Sequence, residues 1–126
     1  MRFRHFLSAF FLVLASFAAH AIEIKPFTLE ALTQAQTSNQ PVALLFHADW
    51  CPTCRAQDKV LQSFKNEAGL ELTVLIANYD TEKELKKRFN VRAQSTFVVL
   101  RGQKESARLI GDTDPAVIRA ALKSAL

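Results

Sequence analysis

Apolar residues fall along this chain in two rhythms, near-continuous runs and spaced stripes. Val42-Ala43-Leu44-Leu45-Phe46, Leu72 to Tyr79 and Thr96-Phe97-Val98-Val99-Leu100 are the runs, each with the length of a strand buried on both faces. Ile22 to Phe27 alternates weakly and predicts a short edge strand that Pro26 ends. Ser106 to Ile110 predicts a fourth main strand, returning through Arg101-Gly102-Gln103 as a hairpin. Between the runs, apolar positions recur at helical spacing. Thr28 can cap a helix from Leu29 to Gln36 with Leu32 and Ala35 turned inward, and Ser38-Asn39-Gln40-Pro41 breaks it. A second helix is expected from Cys51 to about Asn66, carrying Val60, Leu61 and Phe64 and ended by Gly69. Thr81 and Glu84 predict a capping box that opens a third helix, ending near Phe89 and Asn90. Asp114 before Pro115 predicts cap and first position of a closing helix through Ile118, Ala121 and Leu122. The expected order is β-α-β-α-β-α-β-β-α. It implies an α/β fold, a central mixed sheet with helices on both faces.

The first residues are set apart from this pattern. Arg2, Arg4 and His5 form a basic start, Phe6 to Ala19 is almost wholly apolar, and Ala19-His20-Ala21 has the small-x-small form of a cleavage site. This is the layout of a secretory signal peptide. The apolar run is shorter than the roughly 20 residues a spanning helix needs. Residues 1–21 are therefore expected to be a signal peptide and residues 22–126 one domain, of a length that can bury a core without staples. No repeat, low-complexity tract or linker divides it.

The chain of 126 residues has 16 Lys and Arg against 12 Asp and Glu, for a net charge of +4. Arg2 and Arg4 lie in the leader, so the mature domain is closer to neutral. The basic residues are dispersed and the aromatics are mostly phenylalanines in apolar runs, which gives no nucleic-acid footprint. Lys86-Lys87-Arg88 fits a solvated helix end, where positive charge complements the dipole.

The chemistry centres on Cys51-Pro52-Thr53-Cys54. These are the 2 cysteines of the chain. A bridge between them closes almost no loop and so stabilises little, which makes the spacing more sensible as chemistry than as scaffolding. A strand and the short loop Ala48-Asp49-Trp50 lead to Cys51 at the start of a helix. Backbone N–H groups and the dipole favour a thiolate there, and the thiolate is the form that attacks disulfides. Pro52 in the first turn loses no hydrogen bond and presets the backbone. Cys54, almost a turn on and more covered, can resolve a mixed disulfide by attacking Cys51. An inert pair and half of a zinc site are the alternatives, and zinc would need distant donors, since no second cysteine pair and no spaced histidine pair follows.

Phe46-His47-Ala48-Asp49-Trp50-Cys51-Pro52-Thr53-Cys54 resembles the active-site segment of the thioredoxin superfamily. The resemblance runs through the mature chain: Leu72-Thr73-Val74 to Asn78 and Asp80 resembles the family's central strand, Phe89-Asn90-Val91-Arg92 the approach to its substrate loop, Gly102 its hairpin turn, and Gly111 the glycine before its last helix. The Ala-Asp-Trp-Cys wording behind a leader is similar to the thioredoxin-like domains of periplasmic disulfide-reducing systems. The resemblance also marks departures. Ser95-Thr96 stands where the family carries a cis-proline and threonine facing the cysteines. Leu45 replaces the buried aspartate that assists the second cysteine, and Ile76 replaces its lysine neighbour. His47 stands where an aromatic residue is common, either as an electrostatic partner of the thiols or as a ring packed at the strand end. Trp50 is expected to shield the cysteines, while Asp49 and Arg55 fit solvated positions. Ser95 is expected opposite Cys51, presenting its backbone C=O and, unlike the proline, a backbone N–H to a bound chain.

The resulting expectation is an extracytoplasmic, periplasmic thiol–disulfide oxidoreductase reducing protein disulfides, with Cys51 as nucleophile, Cys54 as resolving thiol and a Cys51–Cys54 disulfide in the oxidised form. Trp50, Pro52, Thr53, His47, Ser95 and Thr96 are the neighbours of the pair. No cofactor, resident metal or nucleic acid is expected. The expected partners are a substrate protein with a disulfide or dithiol and a membrane-embedded redox protein, and the chain is expected to be a monomer. A soft-metal module, holding Cu(I) or a cluster through Cys51 and Cys54, with His47 as an optional further ligand, is the rival from another class. A peptide-binding domain using the groove beside Ser95 is the third.

Overall fold

The computed structural model describes residues 21–126. The signal peptide expected at residues 1–21 lies, but for Ala21, outside the described residues. The elements follow the expected order: β1 (Glu23–Pro26), α1 (Leu29–Thr37), β2 (Pro41–His47), α2 (Pro52–Ser63), β3 (Thr73–Asn78), α3 (Lys83–Phe89), β4 (Thr96–Arg101), β5 (Lys104–Ile110) and α4 (Pro115–Lys123).

The five strands form one sheet in the order β1-β3-β2-β4-β5. β3 runs parallel to both β1 and β2, whereas β4 is antiparallel to β2 and to β5, so the sheet is mixed. β2 lies at its centre, and Val42 through Phe46 are all fully buried. Alternate side chains of β2 enter opposite cores. Ala43 and Leu45 meet Leu61 of α2, Phe64 just after it, and Ile118, Ala121 and Leu122 of α4. Val42, Leu44 and Phe46 face Leu32 of α1 and Leu85 of α3. Burying one such Leu or Phe side chain contributes about 1.5–3 kcal/mol, so both layers bind firmly to the central strand.

Two predicted caps form. The Thr28 hydroxyl accepts the Ala31 N–H at 3.1 Å, and the Asp114 carboxylate accepts the Ala116 N–H at 2.8 Å. The third does not. α3 starts at Lys83, with Glu82 as a cap that makes no side-chain hydrogen bond. The Asn78 side-chain oxygen instead accepts the N–H groups of Asp80 and Thr81, at 2.9 and 3.3 Å, and winds a turn ahead of the helix. α2 also ends earlier than expected, at Ser63. Phe64, Lys65 and Glu67 then donate to residues three back, in tight turns. Those turns carry both Phe64 and Leu70 into the core. In the β4–β5 turn, Gly102 has φ +58, and a Cβ there would lie 2.5 Å from the Asn39 side-chain oxygen, so any other residue would be strained and would have to displace Asn39.

Candidate active site

β2 ends at His47 and the chain turns through Ala48, Asp49 and Trp50 into α2. The Cys51 N–H closes this turn on the Ala48 carbonyl at 3.1 Å, and Arg55 donates from its side chain to the Asp49 carbonyl at 3.0 Å. Cys51 is the N-cap of α2, with extended backbone (φ −93, ψ 117), and Pro52 occupies the first helical turn. The Cys51 Sγ accepts the Cys54 N–H at 3.4 Å, so the thiol takes the place that a serine or aspartate oxygen fills in an ordinary cap.

Both cysteines are free thiols, the dithiol half of the expected cycle. Their exposure barely differs, 3% for Cys51 and 0% for Cys54. Their acidities diverge strongly. The Ser95 hydroxyl lowers the Cys51 pKa to about 7, against the penalty of burial and with help from the Cys54 and Thr53 backbone. Burial pushes Cys54 up, and hydrogen bonds from Ser95 and the Ala48 backbone only partly offset it. Cys51 is thus the thiolate-former because of the hydrogen bonds it receives rather than because it is open to water.

The Ser95 hydroxyl lies against both sulfurs. Its Oγ lies 3.4 Å from Cys51 Sγ and 3.0 Å from Cys54 Sγ. No peptide bond among the described residues is cis, and Ser95 instead has φ +63. An L-residue in this region costs about 1–2 kcal/mol, so the surroundings must impose it. They do so from three sides. The Ser95 N–H donates to the Phe46 carbonyl at 2.8 Å, while its own carbonyl accepts from Gly111 N–H and from Gln57 Nε2, both at 3.0 Å. The expectation that this N–H would face a bound chain is therefore corrected: it is engaged inside the sheet. Thr96 next to it is buried, with its hydroxyl on the Ala93 carbonyl at 2.7 Å.

His47 is engaged by two carboxylates. Nε2 lies 2.8 Å from Asp58 Oδ2 and Nδ1 lies 3.5 Å from Asp49 Oδ1. With both ring nitrogens directed at carboxylates, His47 does not join the sulfurs as a third metal ligand. Among the described residues no group of three or more His, Cys, Asp and Glu is placed to hold a metal. Trp50 is 58% exposed and stands on the rim, its indole N–H donating to Asp80 at 2.9 Å. Thr53 lies half-buried in the first turn of α2.

Sequence inspection missed four participants: Gln57, Asp58, Tyr79 and Asp80. Tyr79 packs against the small cluster of Ala48, Cys51 and Cys54, and its hydroxyl donates to the Arg92 carbonyl at 3.1 Å. Gln57 carried a legible signal. It falls with Cys54 and Leu61 on one buried stripe of α2, a polar residue at an apolar helical position. Asp58 and Asp80 carried none, because their partners are distant in sequence.

Comparison with known proteins adds to this geometry. The family model for Thioredoxin matches residues 23–124. The chain is 29% identical over 86 residues to the thioredoxin of Mycobacterium bovis (strain ATCC BAA-935 / AF2122/97), covering 68% of this chain and 74% of that protein. It is 30% identical over 82 residues to the bifunctional thioredoxin reductase/thioredoxin of Mycobacterium leprae (strain TN), covering 65% of this chain but only 18% of that longer protein. Among solved structures it is similar to Trxlp from Edwardsiella tarda EIB202, with TM-score 0.73 and 38% identity, covering 79% of this chain and 98% of that one.

Proposed function

The chain belongs to the thioredoxin family of thiol–disulfide oxidoreductases, and on that premise we propose that it is an extracytoplasmic reductant of protein disulfides. Cys51 attacks the substrate disulfide as a thiolate, a mixed disulfide forms, and Cys54 attacks Cys51 to release the reduced substrate. The observation that carries this assignment is the split between the two thiols, Cys51 lowered to about 7 and Cys54 raised. At neutral pH one sulfur is ready to attack while the other is held in reserve as a thiol.

The size of the Cys51 shift supports one direction of exchange. A dithiol whose thiolate is strongly stabilised is a strong oxidant when bridged. The nucleophilic cysteine of thioredoxin titrates near 7 and that of a strong oxidant near 3.5, with potentials of about −270 and −120 mV. A Cys51 pKa of about 7 supports the reducing end. Arg2, Arg4, the apolar run to Ala19 and Ala19-His20-Ala21 support export to the periplasm through a cleaved signal peptide. Outside the cytoplasm the oxidised pair has to be recharged, for which a membrane-embedded redox protein is the proposed electron source. The protein works as a monomer with Trp50 on its docking rim.

Two measurements test this. Cell fractionation with N-terminal sequencing should find the protein in the periplasm beginning at Ile22. Equilibration with thiol buffers should give a potential nearer about −270 than about −120 mV. A cytoplasmic protein with its leader intact would overturn the location, and a potential at the oxidising end would overturn the direction.

A further inference from the structure

We propose that the Ser95 hydroxyl is a catalytic proton relay for the resolving step, and that Gln57 is the positioning residue that holds it between the two sulfurs. The proposal rests on the assignment of Cys51 as nucleophile and Cys54 as resolving thiol, and it supplies what that assignment leaves open, the fate of the Cys54 proton.

A hydroxyl has one hydrogen to give and can accept in return. When Cys51 is a thiolate it can only accept, so the Ser95 O–H points to Cys51 Sγ at 3.4 Å. The Ser95 oxygen is then left to accept from the Cys54 S–H, 3.0 Å away. The chain Cys54 S–H to Ser95 O–H to Cys51 sulfur is therefore already aligned in the dithiol. Water has little access to it, because Ser95 is 2% exposed and Cys54 0%.

Among the described residues no other group stands ready to take the Cys54 proton. Leu45 and Ile76, paired in register across β2 and β3, bring only hydrocarbon to the sheet behind α2. His47 is engaged with Asp58 and Asp49, Asp80 with Trp50, and the Tyr79 hydroxyl with the Arg92 carbonyl. Arg55 turns to the Asp49 carbonyl. From the β4–β5 side, the groups reaching this point are Ser95 itself and the backbone of Gly111 and Asp112.

Gln57 fixes the relay. It is fully buried, and its Nε2 donates to the Ser95 and Asp112 carbonyls, both at 3.0 Å. Its Oε1 meets no donor among the described residues, so its hydrogen bonding is wholly directed at these two carbonyls. α2 thus carries both the resolving thiol and, less than a turn later, the clamp on the group that deprotonates it.

The step balances as follows. The mixed disulfide joins Cys51 Sγ to the substrate sulfur. Cys54 passes its proton to Ser95 Oγ as its sulfur attacks Cys51 Sγ, and the Cys51–Cys54 bond forms. The bond from Cys51 to the substrate sulfur breaks, and its electron pair leaves on that sulfur. Ser95 gives up its original hydroxyl proton towards the departing sulfur, which leaves as a thiol. Cys51 and Cys54 are oxidised, the substrate sulfur is reduced, and Ser95 ends as it began.

The test is a rapid-quench measurement with glutathione disulfide, following the Cys51 mixed disulfide and its conversion to the Cys51–Cys54 disulfide by mass. Ser95→Gly removes the hydroxyl while suiting the φ of +63. It should accumulate the mixed disulfide, with resolution slowed about 10²-fold near pH 7, the lower end of what a positioned proton-transfer group contributes. The deficit should shrink as pH rises and Cys54 loses its proton unaided, which a merely misplaced loop would not do. Gln57→Leu should show the same convergence with pH. Resolution at the wild-type rate across the pH range in Ser95→Gly overturns the relay alone. Failure of the wild-type protein to form any mixed disulfide at Cys51 overturns the underlying assignment instead. Should the glycine variant not fold, wild-type resolution in deuterium oxide decides: slowing supports the relay, and an unchanged rate overturns it.

Discussion

His47 and Asp58 tie the end of β2 to the second turn of α2, with Nε2 2.8 Å from Oδ2. The pair braces the strand against the helix that carries both cysteines, and it directs the ring at a carboxylate rather than at sulfur. His47 is absent from the groups that set the acidity of Cys51. His47→Phe should therefore leave the thiolate titration of Cys51 in place and lower stability by about 1 kcal/mol, the net worth of a lost side-chain hydrogen bond. Thiolate absorbance against pH, with urea unfolding beside it, checks both halves. A raised Cys51 pKa would give the histidine an electrostatic role.

Cys51 should react with iodoacetamide along a curve with its midpoint near pH 7, and Cys54 only at more alkaline pH. Peptide mapping after brief labelling at mildly acidic pH reads the order directly, and first labelling of Cys54 would reverse the two roles. The shift also has a sign for stability. The folded chain releases the Cys51 proton more readily than the unfolded chain. Cys51 therefore adds stability to the dithiol as pH rises from about 7 into the ordinary thiol range, and this is lost as pH falls back through 7. Cys54, shifted the other way, contributes stability at lower pH and loses it above the ordinary thiol range.

Restoring the family's proline at Ser95 should damage this protein. The Ser95 N–H is needed by the Phe46 carbonyl, and φ is +63, whereas proline has no N–H and holds φ near −65. Ser95→Pro should cost about 2–3 kcal/mol, while Ser95→Gly, relieved of the left-handed strain, should stay within about 1 kcal/mol of wild type. Denaturant midpoints for the two variants test the contrast. A fully stable proline variant would mean that the loop can take a second course.

Phe97 is fully buried on β4, pairing with Leu45 on one side and Leu109 on the other, in the core under α2 and α4. Phe97→Ala should destabilise by about 3–5 kcal/mol through lost burial and the cavity left behind. Thermal unfolding measures it, and a loss under 1 kcal/mol would contradict the packing described.

The order of the nine elements was legible because it is written locally. A strand such as Val42 to Phe46 declares itself by being apolar throughout, and Thr28 and Asp114 cap helices through N–H groups two or three residues away. The cysteine pair was legible for the same reason, since strand, loop and helix start are consecutive. Local patterns can also mislead when a neighbour competes. Thr81 and Glu84 had the spacing of a capping box, but the Asn78 side chain captured the Thr81 N–H first.

What the sequence determined by itself is thus the set of strands and helices, the Thr28 and Asp114 caps, and the place of Cys51 at a helix start. The tertiary structure alone decided the strand order β1-β3-β2-β4-β5, the left-handed backbone of Ser95, and the reach of Gln57 to a carbonyl 38 residues away. It also decided that the difference in acidity expected from the helix start rests chiefly on the Ser95 hydroxyl at Cys51 and on burial at Cys54. These outcomes depend on hydrogen bonds and burial between segments remote in the chain. Such contacts exist only once the sheet has set its register, and no local window of residues contains both partners.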